Sequence, residues 1–207
     1  MLKYISKELE IEYNKLISQQ VPFYNHSVNV AYYTRVLLNQ IKKNSSYNID
    51  ESTERYIEMA SLLHDIGKTK IPLYILNKST PLSYLEFDLI KKHSQMGYII
   101  IVEKLGPVAK TKEDMKFVKI CKNIALYHHE RIDGNGYPYG IKYNKIPLEA
   151  QIIAIVDSFD AMTHYRSYNK PFSKEEAIKI LVKEDNKYNQ NLLKSLEKAK
   201  KTLINSA

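Results

Sequence analysis

The spacing of apolar positions predicts helix along nearly the whole chain. Apolar side chains recur every three or four residues, which is the pattern of helices that bury one face. The predicted helices cover residues 1–20, 25–41, 51–67, 83–105, 114–129, 147–162, 173–183 and 189–204. The chain has only 6 glycines and 7 prolines, too few for a loop-rich all-β protein. The pattern therefore predicts an all-α fold.

Polar residues and glycine mark several helix ends. Asn25 is a predicted N-cap of the second helix. Gly67 is a predicted left-handed stop for the third. Two serine–glutamate pairs have the spacing of a capping box, in which each side chain satisfies a free backbone amide. These pairs are Ser83 with Glu86 and Ser173 with Glu176.

The size and composition of the chain suit one globular domain. It has 207 residues, of which 44% are hydrophobic and 26% charged. No linker long enough to divide it is present, so we expect a helical extension at residues 1–24 followed by one domain at residues 25–207. The extension is a candidate element for homodimer formation.

The sequence predicts a soluble cytoplasmic protein. The lone Cys121 cannot form an internal disulfide, which fits a reducing compartment. The first 20 residues lack the uninterrupted apolar stretch of a signal peptide. The apolar run at Tyr98 to Val102 is far shorter than the roughly 20 residues that a membrane span needs.

The net charge of +8 has two interpretations. It reflects either a lysine-rich solvated surface or a field that attracts anionic ligands such as nucleotides. The lysines are scattered rather than clustered in a stripe, which disfavours a nucleic-acid-binding surface.

The first chemical signal is His64-Asp65, at the end of an apolar helix and followed by Lys68. An aspartate can bridge two cations, while the histidine supplies a nitrogen to one of them. Lys68, three to four residues further on, lies on the same side and could meet a phosphate oxygen. The alternative is a helix C-terminus that is merely stabilised by His and Lys.

Further signals lie on other helices. His128 and His129 close a second apolar helix. Asp157 and Asp160 interrupt an apolar run, and a buried carboxylate needs a partner. That partner is either a metal ion or a buried cation such as Arg166. His164 lies past the end of that helix and is interpreted as structural.

A helical bundle can bring these scattered side chains together in its core. Imidazole and carboxylate ligands suit Fe, Mn or Zn, and the lack of cysteines disfavours a thiolate site. Two such ions can drive an in-line displacement at phosphorus, so phosphodiester hydrolysis is the natural reaction. The pooled positions are His26, His64, Asp65, His93, His128 and Asp157, with His129 adjoining.

The order of these residues along the chain resembles the motif order of the HD-GYP domain family. The resemblance covers approximately residues 25–193. A single His-Asp pair would be weak support, but the double histidine and Gly136-Tyr137-Pro138 in the right order are specific. The matching segments are His26, His64-Asp65-Ile66-Gly67-Lys68, His93, His128-His129-Glu130, Asp133-Gly134-Asn135-Gly136-Tyr137-Pro138 and Asp157-Ser158-Phe159-Asp160-Ala161.

The resemblance implies an HD-type helical bundle with a metal site in its core, and hydrolysis of cyclic di-GMP to linear pGpG or onward to GMP. Asp65 and Lys68 become the catalytic candidates. Lys68 and Arg166 match positions that contact substrate phosphate, and Tyr137 is a candidate to stack on substrate or to pack. The implied ligands of an iron or manganese centre are His26, His64, Asp65, His93, His128, His129 and Asp157.

Three departures from the family pattern matter. Members with three metals carry a glutamate four residues before the first histidine, where this chain has Pro22, so two divalent ions are expected. Arg166-Ser167-Tyr168 replaces the usual Arg-Pro-Tyr. Tyr188-Asn189-Gln190 replaces Phe-Asp-Pro. The last two changes bear on pocket shape or on the second step to GMP.

Two alternatives stay open. The first is a phosphodiesterase for another nucleotide, such as cyclic GMP-AMP. The second is a catalytically silent module that binds a nucleotide or a partner protein, such as a diguanylate cyclase.

Overall fold

A computed structural model describes residues 7, 10, 11, 14, 18, 21–44, 47–164, 170–184 and 186–205, with the backbone alone at 21–24. In this part of the chain the regular structure is helical and no strand occurs. The prediction of an all-α fold is confirmed. From Val21 onward the helices are α1 Val21–Lys43, α2 Glu51–Ser61, α3 Leu73–Leu76, α4 Tyr84–Lys91, α5 His93–Leu105, α6 Lys112–Tyr127, α7 Leu148–Thr163, α8 Lys174–Lys183, α9 Gln190–Lys198 and α10 Lys200–Ile204, with short 3-10 helices at Ile66–Lys70 and Tyr143–Lys145.

Helix α7 lies at the centre of the bundle and packs against α1, α6 and α8. Ile152, Ile155 and Phe159 of α7 are fully buried. A helix that is apolar around most of its circumference is expected to be enclosed by its neighbours. Asp157 and Asp160 of α7 are therefore brought into the interior of the bundle.

Contacts among the other helices hold the helix ends around α7 in place. Helix α5 packs along α6 and along the 3-10 helix Ile66–Lys70, and α2 packs against α1 and α6. The rings of Tyr33 in α1 and Phe159 in α7 meet edge to face at 4.9 Å. Those of Tyr56 in α2 and Phe117 in α6 meet at 5.5 Å. Such aromatic contacts hold neighbouring helices in a defined orientation.

Several predicted helix ends are confirmed. Both predicted capping boxes form, at the starts of α4 and α8. Pro147 immediately precedes α7, as predicted. The predicted helices at 83–105 and 189–204 are each present, but broken into two by Lys92 and Ala199 respectively.

Two predicted helix ends are wrong. Helix α1 begins at Val21, so Asn25 lies inside it rather than capping it. Helix α2 ends at Ser61, and Gly67 lies in a 3-10 helix without a left-handed backbone. Gly67 is needed for a different reason, because a Cβ there would lie 1.9 Å from the main-chain oxygen of His93.

Among the described residues, no helix combines the length and apolar character needed to cross a membrane. The predicted boundary between an extension at 1–24 and a domain at 25–207 stays a prediction.

Candidate metal centre

Five elements of the bundle direct polar side chains toward one buried region. His26 comes from α1, and His64 and Asp65 follow α2. His93 is the first residue of α5. The remaining contributors are His128 and His129, just past the end of α6, and Asp157 in α7. The structure thus brings together all seven residues that the sequence suggested as metal ligands.

Main-chain oxygens orient three of the imidazoles. In each, Nδ1 lies at hydrogen-bonding distance from a carbonyl oxygen of the preceding turn. An imidazole that donates from Nδ1 keeps the lone pair of Nε2 free for a metal ion. The pairs are His64 with Ser61 at 2.7 Å, His93 with Ile90 at 2.7 Å and His128 with Ile124 at 2.9 Å.

Asp65 lies where two groups of potential metal-ligand atoms meet. Its Oδ1 is 3.3 Å from Nε2 of His93 and 3.8 Å from Nε2 of His128. Its Oδ2 is 3.4 Å from Nε2 of His64 and 3.7 Å from Nε2 of His26. The first group comprises Asp65, His93, His128 and His129, and the second His26, His64 and Asp157, with the potential ligand atoms of each group within 4.8 Å of one another.

The donor set fits divalent metal ions. Asp65 Oδ1 is buried and accepts no hydrogen bond from the described residues, which is costly for a charged oxygen. Burial lowers the pKa of His93 to about 4 and that of His128 to about 3. Both imidazoles are therefore neutral near pH 7, the form that binds a metal. Mixed imidazole and carboxylate ligands suit iron, manganese or zinc.

His26 is held differently, by a carboxylate. Its Nδ1 lies 2.7 Å from Oδ2 of Asp160, and its Nε2 lies 3.3 Å from Oδ1 of Asp157. Burial alone would lower the pKa of His26, but hydrogen bonds to Asp157 and Asp160 raise it to about 9. Sequence reasoning placed Asp160 beside a metal or Arg166 and missed its contact with His26. The three-residue spacing of the two aspartates, which puts them on one helix face, was the available signal.

The raised pKa of His26 predicts a pH-dependent stability of the metal-free protein. A folded-state pKa of about 9, against an ordinary 6.5, gives stability that is fully present below pH 6.5 and lost as the pH rises through 9. The loss is about 3 kcal/mol at most. Urea unfolding with excess chelator, between about pH 7 and 9.5, measures it. The His26→Gln variant should lose clearly less stability over that range, and an equal loss would contradict this origin.

Lys68 and Tyr137 also lie at the centre. The Lys68 ammonium contacts Asp65 Oδ2, and its side chain is 17% exposed. The Tyr137 ring stacks on His129, with ring centres 4.6 Å apart and planes 27° from parallel. Arg166 falls outside the described residues.

Glu130 is a buried carboxylate that holds the loop around Tyr137. Its Oε1 accepts a hydrogen bond from the backbone amide of Tyr139 at 2.7 Å, and its Oε2 accepts one from Ile141 at 3.1 Å. The Tyr137 amide in turn donates to the carbonyl oxygen of His129 at 3.1 Å. Sequence reasoning quoted Glu130 within a motif without giving it a role. Nothing local in the sequence shows that it reaches amides nine and eleven residues away.

Replacing Glu130 with glutamine should loosen this loop. A neutral amide cannot accept both backbone hydrogen bonds with two oxygens, and one amide of the loop then loses its partner. We expect a loss of about 2 kcal/mol of unfolding free energy and faster proteolysis between residues 131 and 142. Glu103→Gln, at an exposed position on α5, is the control. Unchanged proteolysis of Glu130→Gln would show that the carboxylate does not hold the loop.

Comparison with known proteins identifies the fold. A family model described as HD domain matches residues 10–192. The chain belongs to the HD domain family. The crystal structure of the HD domain of the L. monocytogenes phosphodiesterase PgpH superposes on this HD domain with a TM-score of 0.58 at 19% identity, covering 93% of this chain and 95% of that one. This likeness supports the predicted HD-type bundle.

Relatives of this HD domain include named phosphodiesterases. It is 42% identical over 123 residues to the cyclic di-GMP phosphodiesterase of Thermotoga maritima, covering 59% of this chain and 31% of the relative. It is 36% identical over 130 residues to 3'3'-cGAMP-specific phosphodiesterase 2 of Vibrio cholerae, covering 63% of this chain and 23% of the relative. The matches therefore span less than a third of the length of these two relatives.

Proposed function

We propose that this HD domain hydrolyses a phosphodiester bond of cyclic di-GMP and releases linear pGpG. The observation that supports this most directly is the Asp65 carboxylate, which turns one oxygen toward each of two His/Asp groups. The name of the Thermotoga maritima relative supports the choice of substrate. Opening the ring breaks a bond between phosphorus and a ribose 3′ oxygen, with water as the nucleophile.

We infer that the two groups hold two divalent ions, iron or manganese. Such ions, when bound, act as Lewis acids on phosphate and strengthen water as a nucleophile. The proposed ligands are His26, His64, Asp65, His93, His128, His129 and Asp157. The neutral state of His93 and His128 supports this assignment, as does Asp65 Oδ1, which accepts no hydrogen bond from any residue that the structure describes.

The chain itself supplies positive charge and a shaped pocket. Lys68 is proposed to stabilise charge on the phosphoryl oxygens, from its place beside Asp65 at the edge of the centre. Arg166 is proposed as a second phosphate contact. Tyr137 is proposed to line the substrate pocket while its ring supports His129.

A second candidate substrate is 3'3'-cyclic GMP-AMP, favoured by the name of the Vibrio cholerae relative. The two cyclic dinucleotides share the same phosphodiester linkage and differ in one base. Discrimination between them therefore rests on contacts to the base rather than on the metal ligands.

The test combines metal analysis with a substrate panel. Protein purified without oxygen should contain iron or manganese, and should convert cyclic di-GMP to pGpG faster than it hydrolyses 3'3'-cyclic GMP-AMP. Excess chelator should abolish both reactions. Tight binding of cyclic di-GMP by the metal-loaded protein without turnover would identify a silent binding module instead.

Two expected partners stay predictions. A diguanylate cyclase that binds this chain would be found by co-purification, and a homodimer by light scattering.

A further inference from the structure

Four polar side chains join the end of α7 to the start of α1. His26 and Asn29 lie one turn apart on α1, and Asp160 and His164 lie one turn apart at the end of α7. Asp160 Oδ2 is 2.7 Å from Nδ1 of His26, and Asp160 Oδ1 is 2.9 Å from Nδ1 of His164. His164 Nε2 is 3.0 Å from the side-chain nitrogen of Asn29.

The contact with Asn29 determines which ring nitrogen of His164 faces Asp160. The Asn29 amide donates to Nε2 of His164, and an accepting Nε2 requires the N–H of the ring to be on Nδ1, on the side of Asp160. His164 Nδ1 also lies 3.1 Å from the backbone oxygen of Asp160. Asp160 Oδ2 is thus at hydrogen-bonding distance from His26, whereas the buried Oδ1 lies beside His164 Nδ1 without a hydrogen bond from the described residues, so the imidazole of His164 limits the space into which the carboxylate can rotate.

These four side chains adjoin only one of the two ligand groups, the one that contains His26. The imidazoles of His64, His93 and His128 take their orientation from main-chain oxygens, which no side-chain substitution removes. His26 Nδ1 instead faces a side chain, the Asp160 carboxylate, which lies beside His164. The His164 side chain is 46% exposed, so its replacement should leave the core packing intact.

We propose that His164 and Asn29 are positioning residues, which fix the Asp160 carboxylate and through it the His26 ring at the His26–His64–Asp157 group. The proposal rests on the metal centre of the proposed function. It assigns His164, interpreted from the sequence as structural, to the support of one metal position. Substitutions of residues that orient a metal-binding histidine typically weaken metal binding about 10- to 100-fold. His164 acts through one further residue, so we expect about tenfold.

The test is a Mn²⁺ titration of metal-free protein against a fluorescent chelator, which resolves the affinity of each position. His164→Ala should weaken one Mn²⁺ position about tenfold and leave the other unchanged. His164→Asn should restore it, because an asparagine amide nitrogen sits near the place of histidine Nδ1. Asn29→Ala should give a smaller loss at the same position.

The outcomes separate this proposal from the proposed function. Unchanged affinities in His164→Ala, equal weakening of both positions, or failure of His164→Asn to restore binding would overturn the positioning role. A wild-type protein that binds two Mn²⁺ ions but does not hydrolyse cyclic dinucleotides would overturn the proposed function alone. A wild-type protein that binds no Mn²⁺ would overturn both. Thermal unfolding of the chelated variants confirms that each is folded.

Discussion

Asp65→Asn should abolish loading of both metal ions and, with it, hydrolysis of cyclic di-GMP. The substitution keeps the size of the side chain but removes the charge and replaces one oxygen with a nitrogen that cannot bind a cation. Because Asp65 turns one oxygen to each ligand group, one position loses its Asp65 ligand and the other keeps only a neutral amide oxygen in place of a charged one. The loss of the ions' Lewis-acid stabilisation, about 4 kcal/mol or more, lowers the rate about 1000-fold or more.

Metal analysis and a pGpG assay on the same preparation measure this effect. Asp88→Asn is the matched control, since Asp88 is a half-exposed carboxylate paired with Lys91 at 2.9 Å. It should retain full metal content and rate. Circular dichroism should show the same helix content in both variants. Full activity in Asp65→Asn would end the proposal of a two-metal phosphodiesterase.

Gly67→Ala should destabilise the protein and disturb the metal centre together. A Cβ at Gly67 would lie 1.9 Å from the carbonyl oxygen of His93 and 2.5 Å from the amide nitrogen of Gly97. Both neighbours are backbone atoms, so the whole of α5 must move away, and His93 moves with it. Overpacking of this kind costs about 3 kcal/mol, which lowers the Tm of a chain of this length by about 6–12 °C.

Gly97→Ala is the matched control, because Gly97 lies on the other side of the same contact. A Cβ there would lie 3.3 Å from Cβ of Ala125 and 3.4 Å from the amide nitrogen of Gly67, which small shifts relieve. Alanine also favours a helix interior over glycine by roughly 0.5–1 kcal/mol. Thermal unfolding and Mn²⁺ titration should show a near-normal Gly97→Ala and a weakened Gly67→Ala. Equal Tm values for the two variants would contradict the close approach at Gly67.

Local patterns predicted the secondary structure well where the determining contacts lie within one or two turns. The capping boxes at Ser83 and Ser173 involve a residue three positions away, and both form. Gly67 shows the limit of local reasoning. Its position after an apolar helix suggested a left-handed stop, whereas its real constraint is the His93 carbonyl oxygen 26 positions later in the chain.

The candidate site was also predictable as a set of residues, but not as a geometry. Unusual side chains on apolar helices, together with the order of the motifs, named all seven residues that converge. Asp160 was expected beside a metal ion or a buried cation, and Glu130 was quoted within a motif without an assigned role. Their partners, the His26 imidazole and the Tyr139 amide, could not be read from local spacing.

The sequence by itself determined the helical class, most helix ends and the identity of the residues at the centre. Each of these is visible in short stretches of the chain. Only the tertiary structure decided that Asp65 offers one oxygen to each group. It also decided that His26 is oriented by Asp160, 134 positions away. Packing of α1 against α7 creates that contact. Periodicity identifies which face of each helix is buried, but it carries no information on which buried face meets which.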